Sequence, residues 1–173
     1  MRRIVLTFVA VLGGACTLPA GPTLQTGAPV PAPTSDAAIA AVARDVIAEV
    51  NRTRDARGLG TLRADAALNR AARDHAEELA ARRTLDHTST NPARRTMAMR
   101  IDAAGGAWSR AAENLANVSG PASDVATRTV RMWLRSEGHR RNLLEPAYTH
   151  TGVGIAIDER GVWYITQLYV LPR

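Results

Sequence analysis

Along the chain the apolar positions keep a helical rhythm early and a strand-like one late. Ile39, Val42, Val46, Ile47 and Val50 recur at helical spacing behind an N-capping Ser35 or Asp36. They predict an amphipathic helix to about residue 57, stopped by Gly58 and Gly60. Asp65 caps a second helix, in which Leu68, Ala71, Ala72, His75, Ala76 and Leu79 share one face as far as residue 83. Residues 84–106 are irregular, apart from an Asn91-Pro92 turn and a short helix over 96–103. Residues 108–119 show no helical period, and their Glu113-Asn114-Leu115-Ala116 centre reads as strand or as extended loop. Ser123 or Asp124 opens a third substantial helix with Val125, Val130, Trp133 and Leu134 apolar. Two β-rich runs, 151–157 and 162–170, flank Asp158-Glu159-Arg160-Gly161 and predict a closing hairpin. Helices first and strands last, without βαβ alternation, indicate an α+β layered domain.

The stretch from Trp133 to Pro146 joins the third helix to the hairpin. Gly138 is its expected helix stop, which leaves His139 at a C-terminal helix end, where the macrodipole favours an imidazolium. Arg140 and Arg141 add donors, Asn142 can bond the turn backbone, and Pro146 blocks continuation. Such a segment serves equally well to present functional side chains or as a plain solvated connector.

With 173 residues the chain is long enough for one domain with a real core. Only 4% of it is aromatic, so Trp108, Trp133, Trp163 and Tyr164 are the expected large core residues. The formal charge is +6 and every basic residue is Arg, but these alternate with acids, as in Arg44-Asp45, Arg54-Asp55 and Arg73-Asp74. That pattern is a solvated, salt-bridged surface and not the one-sided patch that nucleic acid requires. Met1-Arg2-Arg3 and the short apolar run that follows predict an export signal over 1–15, too short to span a bilayer. The only cysteine, Cys16, follows Gly13-Gly14-Ala15 in a segment that resembles a bacterial lipobox. The usual leucine, three residues before the Cys, is here four before it, at Leu12. Cys16 has no partner for an internal disulfide, so the expectation is lipidation and a membrane anchor at the cell envelope. Plain secretion, or a soluble periplasmic protein, is the alternative. Residues 16–36, rich in Pro, Gly and Thr, are expected to form an extended tether ahead of a domain over 37–173.

His87, Glu113 and His139 stand outside the apolar periodicity, in segments expected to be loops or element ends. Two imidazoles and a carboxylate have the composition of a zinc site or of a general acid/base group, but also of ordinary exposed polar residues. No serine or cysteine with an evident His partner supports covalent catalysis, and there is no Gly-rich phosphate loop. His75, on an apolar helix face, is expected to be a hydrogen-bonded core residue.

The local motifs are more specific than the spacing. Val50-Asn51-Arg52-Thr53-Arg54…Gly58-Leu59, Leu68…Ala71…His75-Ala76 and Asp86-His87-Thr88-Ser89 come first. Glu113-Asn114-Leu115, Trp133…Ser136-Glu137-Gly138-His139-Arg140-Arg141-Asn142-Leu143-Leu144 and Gly152-Val153-Gly154 follow. In that order, over residues 39–169, they resemble the CAP (SCP) domain superfamily in its bacterial exported form. The resemblance implies an α-β-α sandwich with a central antiparallel sheet and a cleft on one face. It further implies that His87, Glu113 and His139 line that cleft, with Asn114, Ser136, Asn142 and Tyr164 as candidate support. In some members of the family the cleft holds a divalent metal such as zinc, for which His87, Glu113 and His139 are the candidate ligands here. Animal and plant members carry a second Glu where this chain has Ser136, and a His where it has Tyr164. Their four-residue cluster is therefore not reproduced, and Ala112 replaces the Gly that usually precedes Glu-Asn. The implied function is an extracytoplasmic module that binds a small molecule, a lipid or a cell-surface component. A metal-assisted hydrolase using the same cleft residues is the alternative.

Overall fold

The computed structural model describes residues 35–173. The expected export signal, Cys16 and nearly all of the expected tether lie outside the described residues. Helix α1 (Asp36–Asp55) begins where the Ser35 hydroxyl accepts from the Ala38 amide, and it buries Val42, Val46 and Val50. A two-residue strand, β1 (Arg63–Ala64), precedes α2 (Ala66–Arg82). The Asp65 carboxylate caps α2 by accepting from Leu68 at 2.9 Å. A 3₁₀ turn (Pro92–Arg94) and α3 (Met97–Ala103) follow, the latter capped by Thr96. Then come β2 (Arg110–Val118), α4 (Ala122–Arg135), α5 (Glu137–Leu144), β3 (His150–Ile157) and β4 (Trp163–Leu171).

The sheet order is β1-β3-β4-β2, antiparallel except where β1 meets β3. One face packs against α2 and α3 through Leu68, Ala71, Ala72, Ile101, Leu168 and Val170. The other packs against α1, α4 and α5 through a larger core that includes Val46, Val130, Trp133, Leu143, Trp163 and Tyr169. The result is the expected α-β-α sandwich. Trp133, Trp163 and Tyr164 are fully buried, whereas Trp108 is half-buried and donates its indole N–H to Asp102.

The alanines of α2 acquire a reason here. A Cβ on Gly152 would lie 2.2 Å from the backbone of Leu68, and one on Gly154 would lie 2.1 Å from the Arg73 nitrogen. Only glycines in β3 let the small-residue face of α2 lie directly on the sheet.

Two expectations need correction, and one open reading is decided: the segment over 108–119, left between strand and loop, is the edge strand β2. The helix break falls at Ser136 and not at Gly138: Ser136 has ψ 124°, ends α4 and occupies the N-cap position of α5. Gly138 and His139 therefore lie in the first turn of a new helix, beside Glu137, whose carboxylate suits the positive end of the dipole. His139 thus sits at the opposite helix pole from the one expected. Arg54 is not part of a solvated surface. It is fully buried and donates to the carbonyls of Gly60, Leu143, Glu145 and Tyr148 at 2.8–3.2 Å. It ties the α1–β1 and α5–β3 connections together.

Candidate functional site

Glu113 is the centre of the site. Cross-strand partners share a sheet face. Glu113 pairs with Leu168, so its side chain points to the α2–α3 side, and only 3% of it is exposed. One carboxylate oxygen accepts from Arg100 Nη2 at 2.6 Å, and the other lies 2.9 Å from His87 Nδ1. Arg100 comes from α3, is 2% exposed at its side chain, and also donates to the carbonyls of His87 and Arg95. The guanidinium and the carboxylate thus satisfy each other where neither could stand alone.

His87 sits in the loop after α2 with 60% of its side chain exposed. Its hydrogen bond to Glu113 raises its pKa, against a smaller opposing effect of burial. Glu78 on α2 holds the loop in place. Its carboxylate accepts from the Ser89 hydroxyl at 2.5 Å, from the Thr90 amide and hydroxyl at 2.7 and 2.8 Å, and from Arg82. Although its partial burial acts the other way, these four donors pull its pKa down to about 2. A buried imidazole, His75, holds the loop from beneath at Asp86.

Asn114, next along β2, faces the other side of the sheet. It donates to the His139 carbonyl at 3.0 Å and to the Tyr169 hydroxyl at 3.2 Å, and accepts from Asn142 at 3.0 Å. Tyr169 in turn donates to Gln167, and Gln167 to Thr151. This buried polar chain fixes the start of α5, and with it His139, against the edge strand. Burial lowers the His139 pKa, and the charge of His87 lowers it further. The two imidazoles are close enough to feel each other's charge, but share no hydrogen bond.

The structure therefore joins His87 to Glu113 directly, and brings His139 alongside through Asn114 and Asn142. Ser136 serves the helix break and makes no side-chain cap bond. Tyr164 pairs with Asn117 and packs on Leu79, Ala80 and Leu115. Four residues along β4 from the partner of Glu113, it lies about 13 Å further along the sheet and is no part of the site. Arg100 was not anticipated. It recurs with Met97, Ile101 and Ala104 on the apolar stripe of α3, and a charged residue on such a stripe is the signal for a buried partner.

Glu113 as it stands does not fit the role of ligand to a divalent metal such as zinc. Both Glu113 oxygens are engaged, and a guanidinium 2.6 Å from one of them opposes a second cation. Among the described residues no three His, Cys, Asp or Glu side chains gather in a metal-holding group.

A family model described as the cysteine-rich secretory protein family, CAP, matches residues 47–169, which include His75, His87, Glu113 and His139. The chain belongs to this family. Among CAP relatives, the Bacillus subtilis protein YkwD is 30% identical over 146 residues, or 84% of this chain and 52% of its own length. An extracellular SCP-domain protein from Bacillus anthracis has the same fold, with TM-score 0.65 and 25% identity, over 76% of this chain and 40% of its own. An outer surface protein of Borrelia burgdorferi aligns with TM-score 0.66 and 21% identity, over 77% and 94% of the two chains. The chain spans about half the length of YkwD and less of the Bacillus anthracis protein. No helix among the described residues is long and apolar enough to cross a membrane.

Proposed function

We propose that the chain is an exported, membrane-tethered CAP-domain binding module. Its polar cleft, walled by His87 and His139, captures an acceptor-rich small molecule, lipid headgroup or cell-surface component. The observation that carries this reading is the commitment of both Glu113 oxygens to Arg100 and His87. With both oxygens engaged, Glu113 is itself neither a free general base nor a free metal ligand, which leaves the ring nitrogens of His87 and His139 as the groups the site can offer. When His87 is protonated, the group of Arg100, Glu113 and His87 keeps one net positive charge, at the exposed end. That favours hydrogen-bond donation to an anionic or acceptor-rich partner.

Export is supported by the leader over 1–15, and by relatives described as extracellular or outer-surface proteins. The tether is supported by Gly13-Gly14-Ala15-Cys16, since diacyl anchoring holds a protein at a membrane where a single chain holds it only marginally.

Native mass spectrometry with elemental analysis, on the domain recovered from its own host, tests the reading. A non-covalent organic ligand retained by the wild type and lost from a His87→Ala His139→Ala variant is the expected result. Stoichiometric metal with no organic ligand would favour the hydrolase instead.

A further inference from the structure

His75 sits on the sheet-facing side of α2 and is fully buried. Its Nε2 lies 2.9 Å from the carbonyl oxygen of Asp86, the residue immediately before His87. A carbonyl only accepts, so Nε2 carries the hydrogen and Nδ1 is the bare nitrogen. Burial disfavours the charged ring; the Glu113 charge acts against this, and the Arg100 charge with it. Nδ1 is buried with no hydrogen-bond partner among the described residues, and so is the hydroxyl of Thr166. Thr166 pairs with Leu115 on the face of the sheet that α2 covers. It stands on β4 between Leu168, which packs on Leu68, Ala71 and Ala72, and Tyr164, which packs on Leu79 and Ala80. On α2, His75 stands between those same two groups. A nitrogen lacking a donor and a hydroxyl lacking an acceptor therefore occupy the same level of one interface.

We propose that His75 is the positioning residue of the cleft: as a neutral Nε2–H imidazole it clamps the Asp86–His87 peptide and so aims His87 at Glu113, while the Thr166 hydroxyl serves its Nδ1 through one buried water. This deepens the cleft reading by naming what aims His87. Its test uses no ligand, so the two readings fail separately.

The test is NMR on the folded domain. His75→Gln keeps an N–H in reach of Asp86, whereas His75→Leu fills the space without a donor. The readout is the downfield Nδ1–H resonance of His87 bonded to Glu113. It should persist in the wild type and in His75→Gln, and vanish through exchange in His75→Leu, while the buried Trp133 and Trp163 indole signals stay native. Its persistence in folded His75→Leu, or its loss in His75→Gln, overturns the proposal. Should His75→Leu not fold, long-range proton–nitrogen correlation on the wild type at pH 7 decides. A bare Nδ1 and protonated Nε2 on His75 are expected, and the other tautomer or an imidazolium overturns the clamp. Thr166→Val should move the His75 Nδ1 resonance towards that of an unbonded lone pair, and no movement removes Thr166 from the account.

Discussion

Replacing Arg100 with Met keeps the length of the side chain and removes its charge, which leaves the Glu113 carboxylate 3% exposed and facing only His87. Both members of the pair are nearly solvent-free and 2.6 Å apart. The partner left behind therefore carries most of its desolvation cost, and breaking such a pair from one side costs about 3–5 kcal/mol. With a urea m-value of about 2 kcal/mol/M, the unfolding midpoint should fall by about 2 M at pH 7. Trp133 and Trp163, fully buried, report that transition by fluorescence. In acid the deficit should shrink, because a protonated carboxyl needs no countercharge. Arg100→Met Glu113→Leu should recover most of the loss, since an apolar pair of similar volume is neutral or better in such a place. A single variant within about 1 kcal/mol of the wild type would refute the reasoning. So would a double variant no more stable than the single one.

Gly154→Ala should cost about 3 kcal/mol or abolish folding, because its Cβ meets α2 backbone that cannot swing aside; a melting temperature within about 2 °C of the wild type, which corresponds to about 1 kcal/mol or less, would overturn the close-packing account. In an NMR titration His87 should hold its proton to higher pH than His139, because the Glu113 bond raises the first and burial lowers the second. A raised folded value stabilises fully below the ordinary His value of about 6.5 and is lost as pH rises through the folded one, so His87→Gln should destabilise more at about pH 5 than at about pH 9. His75 and His139, both lowered, are neutral above about 6.5 and begin to penalise the fold as pH falls below it. The reverse order of the His87 and His139 titrations would break that electrostatic picture. Wild-type protein should fractionate with membranes and Cys16→Ala with the soluble material; two soluble proteins would end the lipid-anchor proposal.

Much of this architecture was legible in the residues. Ser35, Asp65 and Thr96 cap the helices whose apolar stripes begin just after them, and Gly161, at φ 76°, closes the hairpin read from Asp158 to Gly161. What was not legible has physical causes. Strand β2 is buried on both faces, with Glu113 turned one way and Asn114 the other, so it shows no polar/apolar alternation to mark it. The two residues of β1 carry no pattern at all. At the α4–α5 junction, glycine as a helix breaker was outweighed by Glu137 at the new N-terminus and by Asn114 taking the His139 carbonyl. Arg54 and Arg100 are hidden in sequence among many arginines that pair with acids on the surface. Only their places on the apolar stripes of α1 and α3 distinguish them. Of the candidate site residues, His87, Glu113 and His139 were found through their motifs, but Arg100, the cation that pairs with Glu113, was not.

Glu113 is already engaged by Arg100 and His87, so on the proposed function binding falls to the imidazoles of His87 and His139 and not to a metal held by Glu113. Calorimetric titration of the purified domain with zinc at about pH 8.5, well above the ordinary His value of about 6.5, tests this most directly, since the lowered His139 is then neutral and the raised His87 has moved towards its neutral, ligating form. Heats indistinguishable between the wild type and His87→Ala His139→Ala are the expected result. One-to-one uptake by the wild type that disappears in that variant would contradict it.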